Sequence, residues 1–160
     1  MIHILDLQFK GLPHVIAAFL VETTAGPVLI ETGPYSTFSN LVSEVNRVGY
    51  KLEDIQHVLL SHIHFDHAGA SWALAEKGAT LYLHPFGFRH MSDPSKLVQS
   101  ATRIYGDEMD TLWGAMKPIP ADKLKVCSHE EEVVIGDKTF IALHTPGHAK
   151  HHIAWQLNNN

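Results

Sequence analysis

The sequence predicts an α+β fold in a single domain, residues 1–160, and three observations carry that reading. Short apolar runs separated by turn residues fill the first thirty positions, as in a small antiparallel meander. A strand-helix-strand order comes next, and a Gly-Asp hairpin with one more strand closes the chain. With 160 residues and 45% hydrophobic content, the chain is long enough to bury a core of its own.

Residues 2–7, 14–22 and 27–31 read as the strands of the meander. The stretch Val15 to Val21 is continuously apolar, which predicts a strand covered on both faces, and Ala25-Gly26-Pro27 has turn chemistry. Gly11-Leu12-Pro13 interrupts the meander and predicts a loop at the rim of a site. Between residues 36 and 48 the period changes: Phe38, Leu41, Val45 and Val48 share one helical face, Ser36 or Thr37 can cap its start, and Gly49 suits its end. Val58-Leu59-Leu60 is a short aliphatic run, read as a buried strand. Residues 68–77 form a short helix ended by Gly78, and 79–83 a further strand.

Residues 84–129 are the least regular part. Asp93-Pro94 begins an amphipathic helix through Leu97, Val98, Ala101, Ile104 and Tyr105, and Gly and Pro punctuate the stretch beyond it. A long connection of this kind is expected to act as a lid or insertion over a small-molecule substrate. Phe86, Phe88, Arg89, His90, Arg103, Tyr105 and Trp113 are its candidate wall residues, with Arg89, Tyr105 and Trp113 assigned to substrate binding; the alternative is that the aromatics only pack the helix onto the body. Glu130-Glu131-Glu132 reads as a solvated charge run, Val133 to Leu143 as the hairpin, and Ile153 to Leu157 as the last strand.

Composition narrows the function. The formal charge of -5 comes with no basic block, so nucleic acid is not an expected partner. No apolar run approaches a membrane span of roughly 20 residues, and the N-terminus lacks a signal pattern. The single cysteine, Cys127, excludes an internal disulfide, and a cytoplasmic location is expected.

The chemistry concentrates in Ser61-His62-Ile63-His64-Phe65-Asp66-His67, directly after the buried strand. In extended chain, residues i and i+2 point the same way, so His62 and His64 can share one ion. Asp66 and His67 come as the chain turns and are aimed differently, which suggests two adjacent sites. Asp66 alone could instead cap the next helix. Histidine is abundant, 13 of 160 residues, so His3, His14, His57 and His129, which lack ligand spacing, are read as ordinary surface or core residues. His151 and His152 are read the same way, as strand alternation or plain exposure.

Ser61 to Gly69 resembles the HxHxDH signature of the metallo-β-lactamase superfamily. Leu29-Ile30-Glu31-Thr32-Gly33 is similar to the strand and turn that precede it there, with Glu31 where Asp is more usual, and Thr145-Pro146-Gly147-His148 resembles the later TPGH turn. The resemblance implies an αββα sandwich, of which this chain holds the N-terminal half and part of the second sheet. It also implies His148 as a further ligand, giving His62, His64, Asp66, His67 and His148 as the metal set, with Asp66 as the catalytic residue that orients or deprotonates the water. The cofactor is expected to be zinc, one or two ions, with Fe²⁺ as the alternative.

Members of the family carry, after the TPGH turn, a strand ending in a bridging Asp and later another His, and only twelve residues come after His148. The domain is therefore expected to be C-terminally incomplete. The Ile153–Leu157 face and an open edge would be exposed, with marginal stability or a homo-oligomer as the consequence. The resemblance points to a glyoxalase II-like hydrolase that cleaves a small ester, thioester or lactone by metal-bound hydroxide. Two alternatives stand beside it: a mononuclear iron enzyme resembling persulfide dioxygenases, and a non-catalytic metal-binding fragment.

Overall fold

A computed structural model describes residues 1–159. The meander is present as β1 (Ile2–Asp6), β2 (Ala17–Thr23) and β3 (Gly26–Ile30), paired antiparallel. The chain then runs through α1 (Phe38–Arg47) into β4 (His57–Leu59), which lies parallel to β3. The sequence periodicity is realised in α1: Leu41 and Val45 are fully buried, Phe38 and Val48 partly so, and Gly49 comes next with φ 90°. The anticipated side-chain caps are absent, because Ser36 and Thr37 hydroxyls donate instead to the carbonyls of Leu112 and Pro34.

The helix expected over 68–77 is two helices, α2 (Phe65–Ala68) and α3 (Ser71–Glu76), and tertiary hydrogen bonds cause the break. The carbonyl of His67 accepts from the N–H of Thr32, and the N–H of Ala70 donates to the carbonyl of Gly33, so both groups are diverted from helical partners. Next come β5 (Thr80–Leu83), α4 (Pro85–Ser92), α5 (Ser95–Tyr105) and α6 (Met109–Leu112). The helix anticipated at Asp93-Pro94 is α5. The rest of 84–129 is more ordered than its sequence suggests, since it also supplies β6 (Leu124–Val126), a sixth strand parallel to β5.

The last three strands, β7 (Glu131–Ile135), β8 (Lys138–His144) and β9 (Ile153–Asn159), form a separate antiparallel sheet. Two cores result. Helix residues Leu41, Val45, Trp72, Leu74 and Met91 pack with Leu20, Leu29, Val58 and Leu81 on one face of the six-stranded sheet. On its other face Val21, Val28, Leu59 and Tyr82 meet Val133, Phe140 and Ile153 of the small sheet. The layers are helix, sheet, sheet, which is the expected αββα order with its first three layers among the described residues.

Two expectations about exposure need correction. Phe19 and Val15 are 37% and 55% exposed, so the apolar run Val15–Val21 is not covered on both faces. The small sheet reaches Val21 but not the β1–β2 margin, where Ile2 and Ile4, paired across from Val21 and Phe19, are also exposed. The Ile153–Leu157 strand is exposed on one face only: Ile153, Trp155 and Leu157 turn into the inter-sheet core, and the Trp155 indole N–H donates to the Leu60 carbonyl. Pleating sends Ala154 and Gln156 outward instead. No helix among the described residues is long and apolar enough to cross a membrane.

Candidate metal centre

The motif leaves β4 on backbone pinned from two sides. The N–H of Ser61 donates to Glu31 Oε1 at 2.6 Å, and its carbonyl accepts from the N–H of Ile153 at 2.7 Å. His62 and His64 emerge from this segment with ring centroids 4.7 Å apart. Helix α2 starts at Phe65 and carries Asp66 and His67, whose ring centroid lies 4.0 Å from that of His62. His148 comes from the loop between β8 and β9, closed by the Thr145–His152 pair and anchored by buried Ala149. Its ring is 4.9 Å from that of His62 and 5.0 Å from that of His64.

Donor atoms of His62, His64 and His148 lie within 4.8 Å of one another. Nδ1 of His64 and Nε2 of His148 are 3.2 Å apart. Two nitrogens bound at 2.0–2.1 Å to one tetrahedral zinc are separated by about 3.3–3.4 Å, so the spacing fits. His62 Nδ1 pairs with the Ser61 hydroxyl, and its Nε2 is buried without a partner. Burial, reinforced by the neighbouring imidazoles, pushes the His62 pKa down to about 3, and burial together with His148 lowers that of His64. Burial thus favours the neutral form of both rings, the state a metal ligand needs.

Beside this trio, Asp66 Oδ2 and His67 Nε2 converge at 3.2 Å. The other ring nitrogen of His67, Nδ1, is 2.5 Å from Glu31 Oε2. Burial works against a charged His67, but the hydrogen bonds and charges of Asp66 and Glu31 outweigh it and raise its pKa to about 10. Glu31, His62 and His67 also have donor atoms within 4.8 Å. Both Glu31 oxygens are already engaged, however, by Ser61 N–H and by His67, which makes Glu31 a support that aims Nε2 of His67 toward Asp66. Glu31 sits at φ 65°, a conformation non-glycine residues seldom adopt, held by these two bonds.

A family model described as Metallo-beta-lactamase superfamily matches residues 11–159. The chain belongs to that superfamily. A metallo-beta-lactamase fold-containing protein of Sulfurisphaera tokodaii is 29% identical over 146 residues, covering 89% of this chain and 53% of that protein. An N-acyl homoserine lactonase of Bacillus cereus is 35% identical over 80 residues, 36% of this chain and 32% of the lactonase. Among solved structures, a subclass B3 metallo-beta-lactamase from a soil metagenome library superposes with TM-score 0.75 at 25% identity, covering 99% of this chain and 55% of that one. The chain thus spans about half the length of the Sulfurisphaera protein and of the B3 enzyme.

Within this superfamily fold, the structure brings all five sequence-predicted ligands together. A cavity of about 390 Å³ opens beside them, lined by His64, Asp66 and His148 together with Tyr105 and Trp113. Arg89 does not line it. On α4, Gly87 is packed against Ile63 and Leu83 and Met91 is buried, so Arg89 falls on the exposed side. The isolated histidines have structural partners: His3 with Glu22, His14 with Asp6, His57 with Tyr82, and His129 with the N–H of His144. His151 departs from the expected alternation or exposure. Its ring is 5.5 Å from that of His64, its Nδ1 is buried without a partner, and burial lowers its pKa to about 4. Sequence reasoning also misses the support role of Glu31. The available signal is an acid directly after the apolar run Val28-Leu29-Ile30, on the strand paired with β4.

Proposed function

We propose that the chain carries the metal centre of a zinc-dependent hydrolase acting on a small ester, thioester or lactone. The observation that carries this reading is the His62–His64–His148 trio, with a buried unpaired Nε2 on His62 and 3.2 Å between the other two donors. Zinc on three imidazoles supplies a nucleophilic water of lowered pKa and polarises a carbonyl.

The chain's own residues do the rest. Burial raises the pKa of the Asp66 carboxyl, but the hydrogen bond and charge of His67 outweigh it and hold the group below its usual range. Asp66 therefore stays ionised and can orient the nucleophile or accept its proton. Glu31 keeps His67 in one orientation beside Asp66, and a second ion held by this pair would take the place of the proton that His67 carries between Asp66 and Glu31. The adjoining cavity gives the unreactive part of a substrate a place to bind. The lactonase named among the relatives supports a cyclic ester as one substrate form.

The test is elemental analysis of protein purified without chelator, then hydrolysis of p-nitrophenyl acetate and a γ-lactone by wild type and His62→Ala. Bound zinc with turnover lost in the variant is expected. Bound iron with oxygen uptake on a persulfide, or bound zinc with no turnover of either ester, overturns the reading.

A further inference from the structure

The cavity beside the metal ligands has a lining of two chemical kinds. Its charged and imidazole lining groups are His64, Asp66 and His148, all of them in or beside the ligand set. Most of the rest is one face of α5, with Leu97, Ser100, Ala101 and Ile104 at helical spacing. Phe65 and Trp113 complete it, their rings 6.2 Å apart. Trp113 is held rigid by Phe9 stacked at 5.5 Å and by Tyr105 edge-on at 5.3 Å. Phe65 and Ala101 of this lining form with Met109 a small buried cluster of their own, separate from the two main cores.

No Lys or Arg is among the described lining residues, so the cavity offers no counter-ion for a carboxylate on the unreactive half of a substrate. Its offer is apolar area along a helix. From Leu97 to Ile104 that ridge runs about 10 Å at 1.5 Å per residue.

We infer that α5 is a chain-length selector: the substrate's unbranched acyl chain lies along Leu97, Ser100 and Ile104 against Trp113, while its carbonyl sits at His64, Asp66 and His148. This rests on the hydrolase reading above and goes beyond it by naming the acyl class and the residues that measure it. Each methylene placed on the ridge contributes about a fourfold gain in kcat/KM until the ridge ends.

The experiment is a series of p-nitrophenyl esters from acetyl to decanoyl on the zinc-loaded chain, with Ile104→Asp and Ser100→Trp. Both positions are exposed, Ile104 at 75%, so neither variant endangers folding. In parallel, tryptophan fluorescence of the metal-free chain is titrated with octanoate and with acetate. A rise of about fourfold per methylene through the octanoyl ester, and a drop of at least about 10-fold in the octanoyl-to-acetyl ratio in both variants, is the expected result. Acetyl ester turnover with a flat profile overturns the selector and leaves the hydrolase standing. Should no ester be cleaved while octanoate still binds more tightly than acetate and the variants abolish this, the hydrolase falls and the acyl site stands. No cleavage and no preference for octanoate overturns both.

Discussion

Glu31 Oε2 lies 2.5 Å from Nδ1 of His67, joining the end of β3 to the first turn of α2 across the motif. One buried carboxylate therefore fixes both the ring that would face a second ion and, through Ser61 N–H, the backbone that presents His62.

Replacing Glu31 by Ala removes both contacts. Zinc titration is expected to show the second ion weakened by about 10–100-fold, as for other lost supports of a metal-bound histidine, with the first ion much less affected. The unpaired Ser61 N–H should also cost about 1–3 kcal/mol, read as a lower melting temperature. Equal loss at both sites would contradict the support role.

The two donor sets should separate by mutation. His62→Ala or His148→Ala is expected to abolish the first ion, whereas His67→Ala removes only the second. Elemental analysis after dialysis measures this, and identical metal content in all three variants would sink the assignment.

Acid should destabilise the metal-free chain. His62 and His151, lowered from the ordinary 6.5 to about 3 and about 4, stay neutral when folded but take up protons when unfolded. Their contribution is complete above the unfolded value and is lost as pH falls from about 6.5 toward 4. His67, raised to about 10, has the opposite sign: its contribution is complete below about 6.5 and is lost as pH rises toward 10. Metal-free protein should thus melt highest near about pH 6.5–7 and lower on both sides, and scanning calorimetry at roughly pH 4.5, 7 and 9.5 checks it.

Gly69→Ala is expected to disturb the motif from behind. A Cβ there would stand 2.5 Å from the Phe65 carbonyl oxygen and 3.0 Å from Pro34 Cα, both backbone atoms that cannot rotate away. A loss of about 1–3 kcal/mol, accompanied by weaker metal binding because α2 carries Asp66 and His67, is the expected outcome. Unchanged melting would show that α2 can shift freely.

Much of this molecule arises from local pattern. The apolar runs bounded by turns became β1 to β5, the 3.6-residue period became α1 and α5, and the Gly-Asp turn became the β7–β8 hairpin, because each depends on neighbours in the chain. The motif's spacing likewise placed His62 beside His64 and, through the turn into α2, His67 beside both His62 and Asp66.

Other features had no local signal. The break between α2 and α3 arises from Thr32 and Gly33, more than thirty positions away, and β6 is a strand because β5 offers it an edge. Whether an apolar residue is buried depended on the width of the second sheet, which covers Val21 and leaves Ile4 and Phe19 open. Glu31 and His151 reached the centre through pairings of strands and loops distant in sequence. The clustering of His62, His64, Asp66 and His67 was legible from residue spacing along one segment; the support by Glu31 and the approach of His151 were not, since both are made by elements that meet only when strands and loops distant in sequence pack.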